Sequence, residues 1–220
     1  MKTFEHEELN LPELNAEIVE GIGRLYTTPE GLQYPSVTTV IGKASDQSWL
    51  DAWKARVGEE EVRKVSGQAS RRGTAVHELA EEYLKNNPRY TKGHMPGNIA
   101  TFNQIKPALD KHVGKIYGLE VPLYSDKLRV AGRVDCVAEW DGQLSIIDFK
   151  TSKREKKRED IGGYFTQASA YSFMTFEQTG LLPKQIVIMM MVDDGEPLIF
   201  IEKSKDWIEK FIELRESVDI

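Results

Sequence analysis

Residues 131–151 read AGRVDCVAEWDGQLSIIDFKT, and this stretch decides the fold. Asp135 and Asp148 stand in otherwise apolar runs, and Lys150 follows two positions after the second aspartate. The pair Asp141-Gly142 separates the two runs. An Asp-Gly pair between strand-like segments is the strongest short-range signal for a β-hairpin with a two-residue type I′ turn. The stretch therefore predicts two adjacent antiparallel strands.

The register of this hairpin places the two aspartates together. Counting outward from the turn sets Asp135 opposite Asp148 and Arg133 opposite Lys150. Opposed Cβ atoms lie about 4.5–5.5 Å apart, so two free carboxylates would repel and one would be driven to protonate. A divalent cation removes this conflict, because Mg²⁺ prefers oxygen ligands from carboxylates and substrate phosphates. The alternative is a solvated sheet face on which Arg133 or Lys150 pairs with each acid.

The rest of the chain alternates helical and strand-like patterns. Strands are predicted at 119–125, 128–140, 143–151, 185–193 and 197–203, where β-branched and apolar residues are enriched. Helices are predicted at 48–65, 67–86, 98–113 with a bend near Pro107, 160–178 and 204–217, and residues 24–41 suit a hairpin or loop. This order predicts an α/β fold, a central mixed five-stranded sheet flanked by helices, with an N-terminal helical extension.

Composition limits the class of protein. The chain has 220 residues, 40% of them hydrophobic, which suits one domain. We expect this domain at 24–220, after an acidic segment 1–23 that is a candidate for flexibility. No apolar run approaches a membrane span and the N-terminus has no signal core, so we expect a cytoplasmic protein without a membrane partner. The single cysteine, Cys136, cannot build a cysteine-based metal cluster.

The charge distribution bears on nucleic-acid binding. The net charge of −6 argues weakly against a nucleic-acid partner, but residues 1–20 alone hold six acids and one base. Residues 150–158, KTSKREKKR, hold six bases and one acid, and this run begins at Lys150. Such a run is either a solvated loop or a guide for a nucleic-acid backbone.

Four sequence elements, in order, carry a family resemblance. Asp135, a twelve-residue gap and then Asp148-Phe149-Lys150 resemble the core of the PD-(D/E)XK nucleases. RGTAVHELAEEYL, with His77, resembles the upstream helix motif of the RecB-like nucleases in this superfamily, and QASAY at 167–171 resembles their Q-x-x-x-Y motif. YPSVTTVIG and the single cysteine are most similar to the family of mitochondrial genome maintenance exonucleases and their bacteriophage relatives. The resemblance covers about residues 30–205.

The resemblance implies a restriction-endonuclease-like core and a metal-dependent site. It implies one or two Mg²⁺ or Mn²⁺ ions, no iron–sulfur cluster, and Asp135, Asp148 and Lys150 as catalytic residues. The implied metal ligands are His77, Glu120, Asp135, Asp148 and the Phe149 carbonyl. The implied supporting or DNA-binding residues are Gln167 and Tyr171. Further candidates for binding DNA, taken from the residues themselves, are Arg133, Lys153, Arg154 and Arg72. From the residues alone, His77 also suits a structural role at the rim of an apolar stripe, Glu120 a surface charge, and Gln167 with Tyr171 an ordinary amphipathic helix.

The expected function is hydrolysis of DNA phosphodiester bonds, from single strands or free ends. Lys150 would orient the attacking water and stabilise charge on the phosphate. Two other readings stay open: a DNA endonuclease on the same core, and a non-catalytic DNA-binding module. A metal-binding structural protein is a third.

Overall fold

The structure is a computed structural model that describes residues 2–46, 48–193 and 195–220. Its strands are β1 (Asn15–Val19), β2 (Gly23–Thr27), β3 (Gln33–Pro35), β4 (Val113–Ser125), β5 (Val130–Trp140), β6 (Gln143–Ser152), β7 (Gln185–Val192) and β8 (Leu198–Lys203). Its helices are α1 (Val37–Ala44), α2 (Ser48–Val57), α3 (Glu59–Leu84), α4 (Pro96–Asn103), α5 (Lys106–His112), α6 (Gly162–Thr179) and α7 (Ile208–Glu216). No helix in these ranges is long and apolar enough to cross a membrane.

The predicted five-stranded mixed sheet is confirmed. Its strand order is β4-β5-β6-β7-β8. β6 and β7 run parallel, and the other neighbouring strands run antiparallel. A parallel pair needs a crossover connection, and α6 supplies it here. The order of the elements along the chain therefore matches the α/β architecture that the sequence predicts.

The central hairpin has the predicted turn and register. Asp141 and Gly142 have φ values of 51° and 76°, as a type I′ turn requires. The pairing runs from Trp140↔Gln143 to Cys136↔Ile147 and stops there, one residue short of the two aspartates. Arg133 and Lys150 are consequently not paired across this hairpin.

Those two residues pair with other strands. Arg133 pairs with Pro122 of β4, and Lys150 pairs with Met190 of β7. The predicted opposition of Arg133 and Lys150 is therefore not part of the β5–β6 pairing. β6 is the middle strand of the sheet and pairs with β7 from Ser145 to Ser152, which places Lys150 in the centre of the sheet.

The sheet is covered on both faces. On one face α3, α4 and α5 pack through residues such as Leu79 and Tyr83 against Phe149 and Met189. On the other face α6, α1 and α7 pack against a second apolar cluster that includes Ile188. β7 is buried along nearly its whole length, as expected for a strand covered on both sides. The lone Cys136 is a buried free thiol in this core.

The predicted N-terminal helical extension is present as α1 to α3, and a small sheet comes before these helices. This separate antiparallel sheet has the strand order β1-β2-β3. The predicted boundary between residues 23 and 24 falls inside this sheet, because Val19 pairs with Gly23. Upstream of it, the Glu7 amide donates to the Ile116 carbonyl of β4 at 2.8 Å, and Phe4 is buried. Residues 2–19 are thus packed on the domain, because a few apolar side chains anchor a segment that is acidic in composition.

The helix boundaries also differ in detail. The sequence predicts a break near residue 66, but α3 continues unbroken from Glu59 to Leu84. The chain breaks instead at Gly58, whose φ of 86° suits glycine. The predicted bend near Pro107 is a break between α4 and α5. Pro107 lies in the first turn of α5, where its missing N–H has no helical partner to lose.

Candidate active site

The site lies in a cleft of about 610 Å³ between the main sheet, α3, α6 and the small N-terminal sheet. The predicted residues that line it are His77, Glu120, Arg133, Asp135, Lys150, Gln167 and Tyr171. The fold brings these side chains together from five different elements. Asp148 and Phe149 are buried in the protein instead of lining the cleft. Arg72, Lys153 and Arg154 lie outside the lining.

Asp135 connects β5 to β6 at the point where their pairing stops. Its Oδ2 atom accepts a hydrogen bond of 2.8 Å from the Phe149 amide. The same oxygen lies 3.5 Å from Nδ1 of His77, which α3 places over the sheet. The His77 ring meets the Phe149 ring edge-on, with the centroids 6.1 Å apart. The Phe149 amide therefore fixes the Asp135 carboxylate, and the Phe149 ring packs against the His77 imidazole.

Glu120 completes a group of three possible metal ligands. It lies between the paired residues Leu119↔Cys136 and Val121↔Val134, which places it opposite Asp135. Its φ of 50° is rare for a residue with a side chain, and such strain is concentrated at functional sites. Burial, followed by the charges of Asp135 and Glu81, raises the pKa of Glu120 to about 7.

One ligand atom from each of His77, Glu120 and Asp135 lies within 4.8 Å of the other two. An imidazole and two carboxylates at this spacing fit a divalent cation. The charges of Arg133 and Lys85 lower the pKa of Glu120, but burial and the neighbouring carboxylates outweigh them. The residues present therefore fit the Mg²⁺ or Mn²⁺ ion that the sequence implies.

Asp148 and Lys150 form a buried charged pair behind this group. Asp148 is 1% exposed, and its Oδ2 lies 2.5 Å from the Lys150 ammonium. Neither oxygen receives a well-aligned hydrogen bond from the described residues. Burial raises the pKa of Asp148, and the charge of Lys150 opposes this rise only in part. The Oδ1 atom of this buried carboxylate has no hydrogen-bond partner among the described residues, which also fits a nearby cation.

Lys150 remains an ammonium in this environment. Burial lowers its pKa, but the carboxylates of Asp148 and Asp135 outweigh burial, and the pKa of Lys150 is raised. The ammonium also lies 5.1 Å from the centre of the Tyr164 ring, and the Lys156 ammonium lies 5.6 Å from the same ring. Lys150 is thus held by one carboxylate and one aromatic face.

Gln167 and Tyr171 lie one turn apart on α6 and interact directly. The Gln167 amide donates to the Tyr171 hydroxyl at 3.4 Å. Tyr171 is 3% exposed, and burial raises its pKa, so the phenol stays protonated. It packs onto Gly132, where an added Cβ would lie 2.8 Å from the Tyr171 ring. The sequence analysis missed Gly132, although a glycine inside a strand is a known sign of close approach.

The candidate DNA-binding residues differ in their surroundings. Arg133 donates to the Glu120 carbonyl and pairs with Glu13 at 3.3 Å. Arg72 pairs with Asp193 of the turn that follows β7. Lys153 and Arg154 are exposed, and no carboxylate of the described residues lies within 4.0 Å of them. They are the predicted cations that are open to a ligand.

The N-terminal region contributes four residues to the cleft lining that the sequence analysis did not name as site residues. They are Arg24 and Tyr26 from β2 and Ser36 and Thr38 from the start of α1. Ser36 and Thr38 lie in the YPSVTT segment, which the sequence analysis used only for its family resemblance, and Arg24 and Tyr26 lie outside it. Their position depends on the packing of the N-terminal sheet against β5, which no local pattern predicts.

Asp135, Asp148 and Lys150 lie on the adjacent strands β5 and β6 of the five-stranded mixed sheet, beside this cleft. This is the arrangement of a nuclease. Residues 95–212 match the family model of the PD-(D/E)XK nuclease superfamily, and the chain belongs to that superfamily.

Among individual proteins, the chain is similar to mitochondrial genome maintenance exonuclease 1. It is 30% identical to the human protein over 131 residues, which cover 56% of this chain and 38% of the relative. The mouse protein is 30% identical over 129 residues, with the same coverage. The Xenopus tropicalis protein is 27% identical over 129 residues, covering 56% of this chain and 37% of the relative. The match thus spans well under half of these relatives.

Proposed function

We propose that this nuclease is a metal-dependent exonuclease that hydrolyses phosphodiester bonds of DNA, from single strands or free ends. The observation that carries the proposal is the joint placement of two chemical groups in one cleft. His77, Glu120 and Asp135 offer ligand atoms within 4.8 Å of one another. Lys150 reaches the same cleft from its buried pair with Asp148. The relatives' description as exonucleases supports the mode of cleavage.

The metal would be held chiefly by His77, Glu120 and Asp135. Asp148 and the Phe149 carbonyl, which the family pattern adds, would complete the site from β6. A bound Mg²⁺ or Mn²⁺ ion would polarise the phosphate and lower the pKa of a coordinated water. The strained backbone and raised pKa of Glu120 both suit a carboxylate that a bound cation would stabilise.

The side chains of the protein then act on the phosphate and the water. The Lys150 ammonium donates hydrogen bonds to the attacking water and to the phosphoryl oxygens, where negative charge develops. Asp148 orients that ammonium and keeps its pKa raised. Tyr171 and Gln167 form the adjoining wall and, with the phenol protonated, act as hydrogen-bond donors toward the DNA backbone. Each role uses a group that already lines or supports the cleft.

The DNA would approach along the exposed basic segment after β6. Lys153 and Arg154 are exposed there and lie three and four positions after Lys150 in the chain. Cations of this kind bind phosphates by releasing counterions, so affinity falls as salt concentration rises. Arg72 and Arg133 can join only by leaving Asp193 and Glu13, respectively. The expected cytoplasmic location stays a prediction.

The test is degradation of end-labelled single-stranded and double-stranded DNA, with closed circles alongside, in Mg²⁺, Mn²⁺ or EDTA. We expect linear single strands to be degraded in metal, circles to be spared, and Lys150→Ala to lose more than about a hundredfold in rate. Lys92→Ala, which removes an exposed lysine outside the cleft, is the matched control.

Each other result has a defined meaning. Cleavage of closed circles would show an endonuclease. Binding without cleavage under every metal condition would show a DNA-binding module. A Lys150→Ala protein as active as the Lys92→Ala control would contradict the role given to the lysine.

A further inference from the structure

The wall of the cleft formed by β2 and the start of α1 has no role in the site described so far. Arg24 and Tyr26 are two positions apart on β2, so their side chains leave the same face of the strand. Both line the cleft that also contains Asp135 and Lys150. Tyr26 is buried, whereas Arg24 is exposed. A guanidinium in a nuclease cleft has a natural ligand in phosphate, which matches its geometry in a bidentate manner.

The three cations that line the cleft differ in their partners. Lys150 is paired with Asp148 at 2.5 Å, and Arg133 is paired with Glu13 at 3.3 Å. Within residues 2–46, 48–193 and 195–220, no carboxylate lies within 4.0 Å of the Arg24 guanidinium, and its side chain donates no hydrogen bond. The cleft also contains the acids Glu78 and Glu81, yet Arg24 pairs with neither. Among these three cations of the cleft, Arg24 is therefore the one whose charge is available to bind a ligand.

The backbone of Arg24 is fixed relative to the catalytic strand. Its amide donates to Oγ1 of Thr39 at 3.1 Å, and its carbonyl accepts from the Ser36 amide at 2.8 Å. Ser36 in turn forms a β-bridge with Ala131 of β5, the strand that carries Asp135. A single hydrogen-bonded residue therefore connects Arg24 to that strand. This rigidity suits a residue that holds a substrate at a set distance from the metal ligands.

We propose that Arg24 binds a phosphate of the DNA strand next to the one that is cleaved. The proposal rests on the proposed function, because it assumes that DNA occupies the cleft. The phosphate is either an internal phosphodiester or a terminal phosphate at the strand end. Both present the same oxygens to a guanidinium. Arg24 is a substrate-binding residue in this account and takes no part in proton transfer.

The test compares Arg24→Gln with Arg89→Gln, which removes the same charge from an exposed arginine outside the cleft. Binding of short fluorescent single-stranded DNA is measured by anisotropy in EDTA over a range of salt concentrations. We expect Arg24→Gln to raise Kd by about tenfold. It should also reduce the slope of log K against log salt by about 0.7, the value for one phosphate contact on a single strand. In Mg²⁺, KM should rise with a much smaller change in kcat.

Arg24→Lys separates charge from geometry and guards against misfolding. The lysine keeps the charge, so we expect the salt slope to be retained while Kd stays above the wild-type value. Thermal unfolding followed by tryptophan fluorescence confirms that each variant is folded. Arg24→Gln and Arg89→Gln with equal Kd and salt slope would overturn the proposal.

The DNA ends identify the source of the phosphate. Equal loss of affinity on phosphorylated ends, hydroxyl ends and closed single-stranded circles would assign Arg24 to an internal phosphodiester. Loss confined to 5′- or 3′-phosphorylated strands would assign it to the terminal phosphate. Wild-type protein that neither binds nor cleaves DNA would refute the proposed function itself. Wild-type activity with an unaffected Arg24→Gln variant would refute only the role of Arg24.

Discussion

Removing Lys150 should destabilise the protein, because it leaves the Asp148 carboxylate buried without its cation. The two charges lie 2.5 Å apart, and Asp148 is 1% exposed. Breaking a buried pair from one side typically costs about 3–5 kcal/mol of unfolding free energy. The Lys150 side chain is 18% exposed, so water relieves part of this cost. We therefore expect Lys150→Met to lose about 3 kcal/mol.

A double-mutant cycle isolates the interaction between the two charges. Asp148→Asn alone leaves the lysine near Asp135, whose charge also raises its pKa, so we expect a smaller loss of about 1–2 kcal/mol. With both charges removed, neither side chain of this pair is left buried with an unpaired charge. The double variant should therefore be more stable than the sum of the single changes predicts, by about 2 kcal/mol.

The loss in Lys150→Met should also depend on pH. The folded pKa of Asp148 is raised, so the folded state binds this proton more tightly than the unfolded state does. Stability then falls as pH rises from the unfolded pKa toward the folded one. Without the lysine the folded pKa rises further. The penalty in Lys150→Met should therefore be larger at about pH 8 than at about pH 5.

The assay is urea unfolding in EDTA, followed by tryptophan fluorescence. Lys54 and Asp51 form a matched control pair on the surface, at 3.9 Å, and their cycle should show a coupling of at most about 0.5 kcal/mol. Additivity within about 0.5 kcal/mol for Lys150→Met and Asp148→Asn would refute the reasoning, because independent sites behave in that way.

Three further substitutions test separate parts of the site. Glu120→Gly relieves a φ of 50°, so stability in EDTA should stay equal or rise by about 1 kcal/mol. The affinity for Mn²⁺ should fall at least about tenfold, because a metal ligand is lost. Lower stability with unchanged Mn²⁺ binding would contradict this expectation. Glu13→Gln removes the ion pair of Arg133 with Glu13, so the affinity for DNA at low salt should rise about twofold to threefold. Fluorescence anisotropy measures this change, and an unchanged Kd would count against competition between Glu13 and DNA. Gly132→Ala places a Cβ 2.8 Å from the Tyr171 ring and should lower stability by about 1–3 kcal/mol, which an unchanged melting temperature would rule out.

The sequence predicted the centre of the molecule well because its signals there are local. An Asp-Gly turn between two alternating runs determines a hairpin and its register within a few residues. The apolar run of β7 identifies a buried strand in the same way. The same register places Asp135 of β5 beside β6, the strand that forms the hairpin with β5. The metal grouping of His77, Glu120 and Asp135 was expected from the family resemblance.

The parts that were not predicted depend on contacts between distant residues. The ion pairs of Arg72 with Asp193 and of Arg133 with Glu13 join residues more than a hundred positions apart. The hairpin of β2 and β3 lies within the predicted hairpin or loop at 24–41, but β1 has only five residues, too few for a clear period. The ladder between β5 and β6 ends early because the Asp135 side chain takes the Phe149 amide. A side chain that replaces a backbone partner leaves no sign in the sequence pattern.

The most direct test of the central claim is a Mn²⁺ titration, followed by electron paramagnetic resonance, of the wild-type protein and of Asp135→Asn. Asp206→Asn, which removes a carboxylate outside the cleft, is the control. The account predicts that wild-type and Asp206→Asn proteins bind Mn²⁺ equally. It predicts that Asp135→Asn loses at least about tenfold in affinity, because a ligand of the site is neutralised. Equal Mn²⁺ affinity in all three proteins would contradict a metal centre built on His77, Glu120 and Asp135.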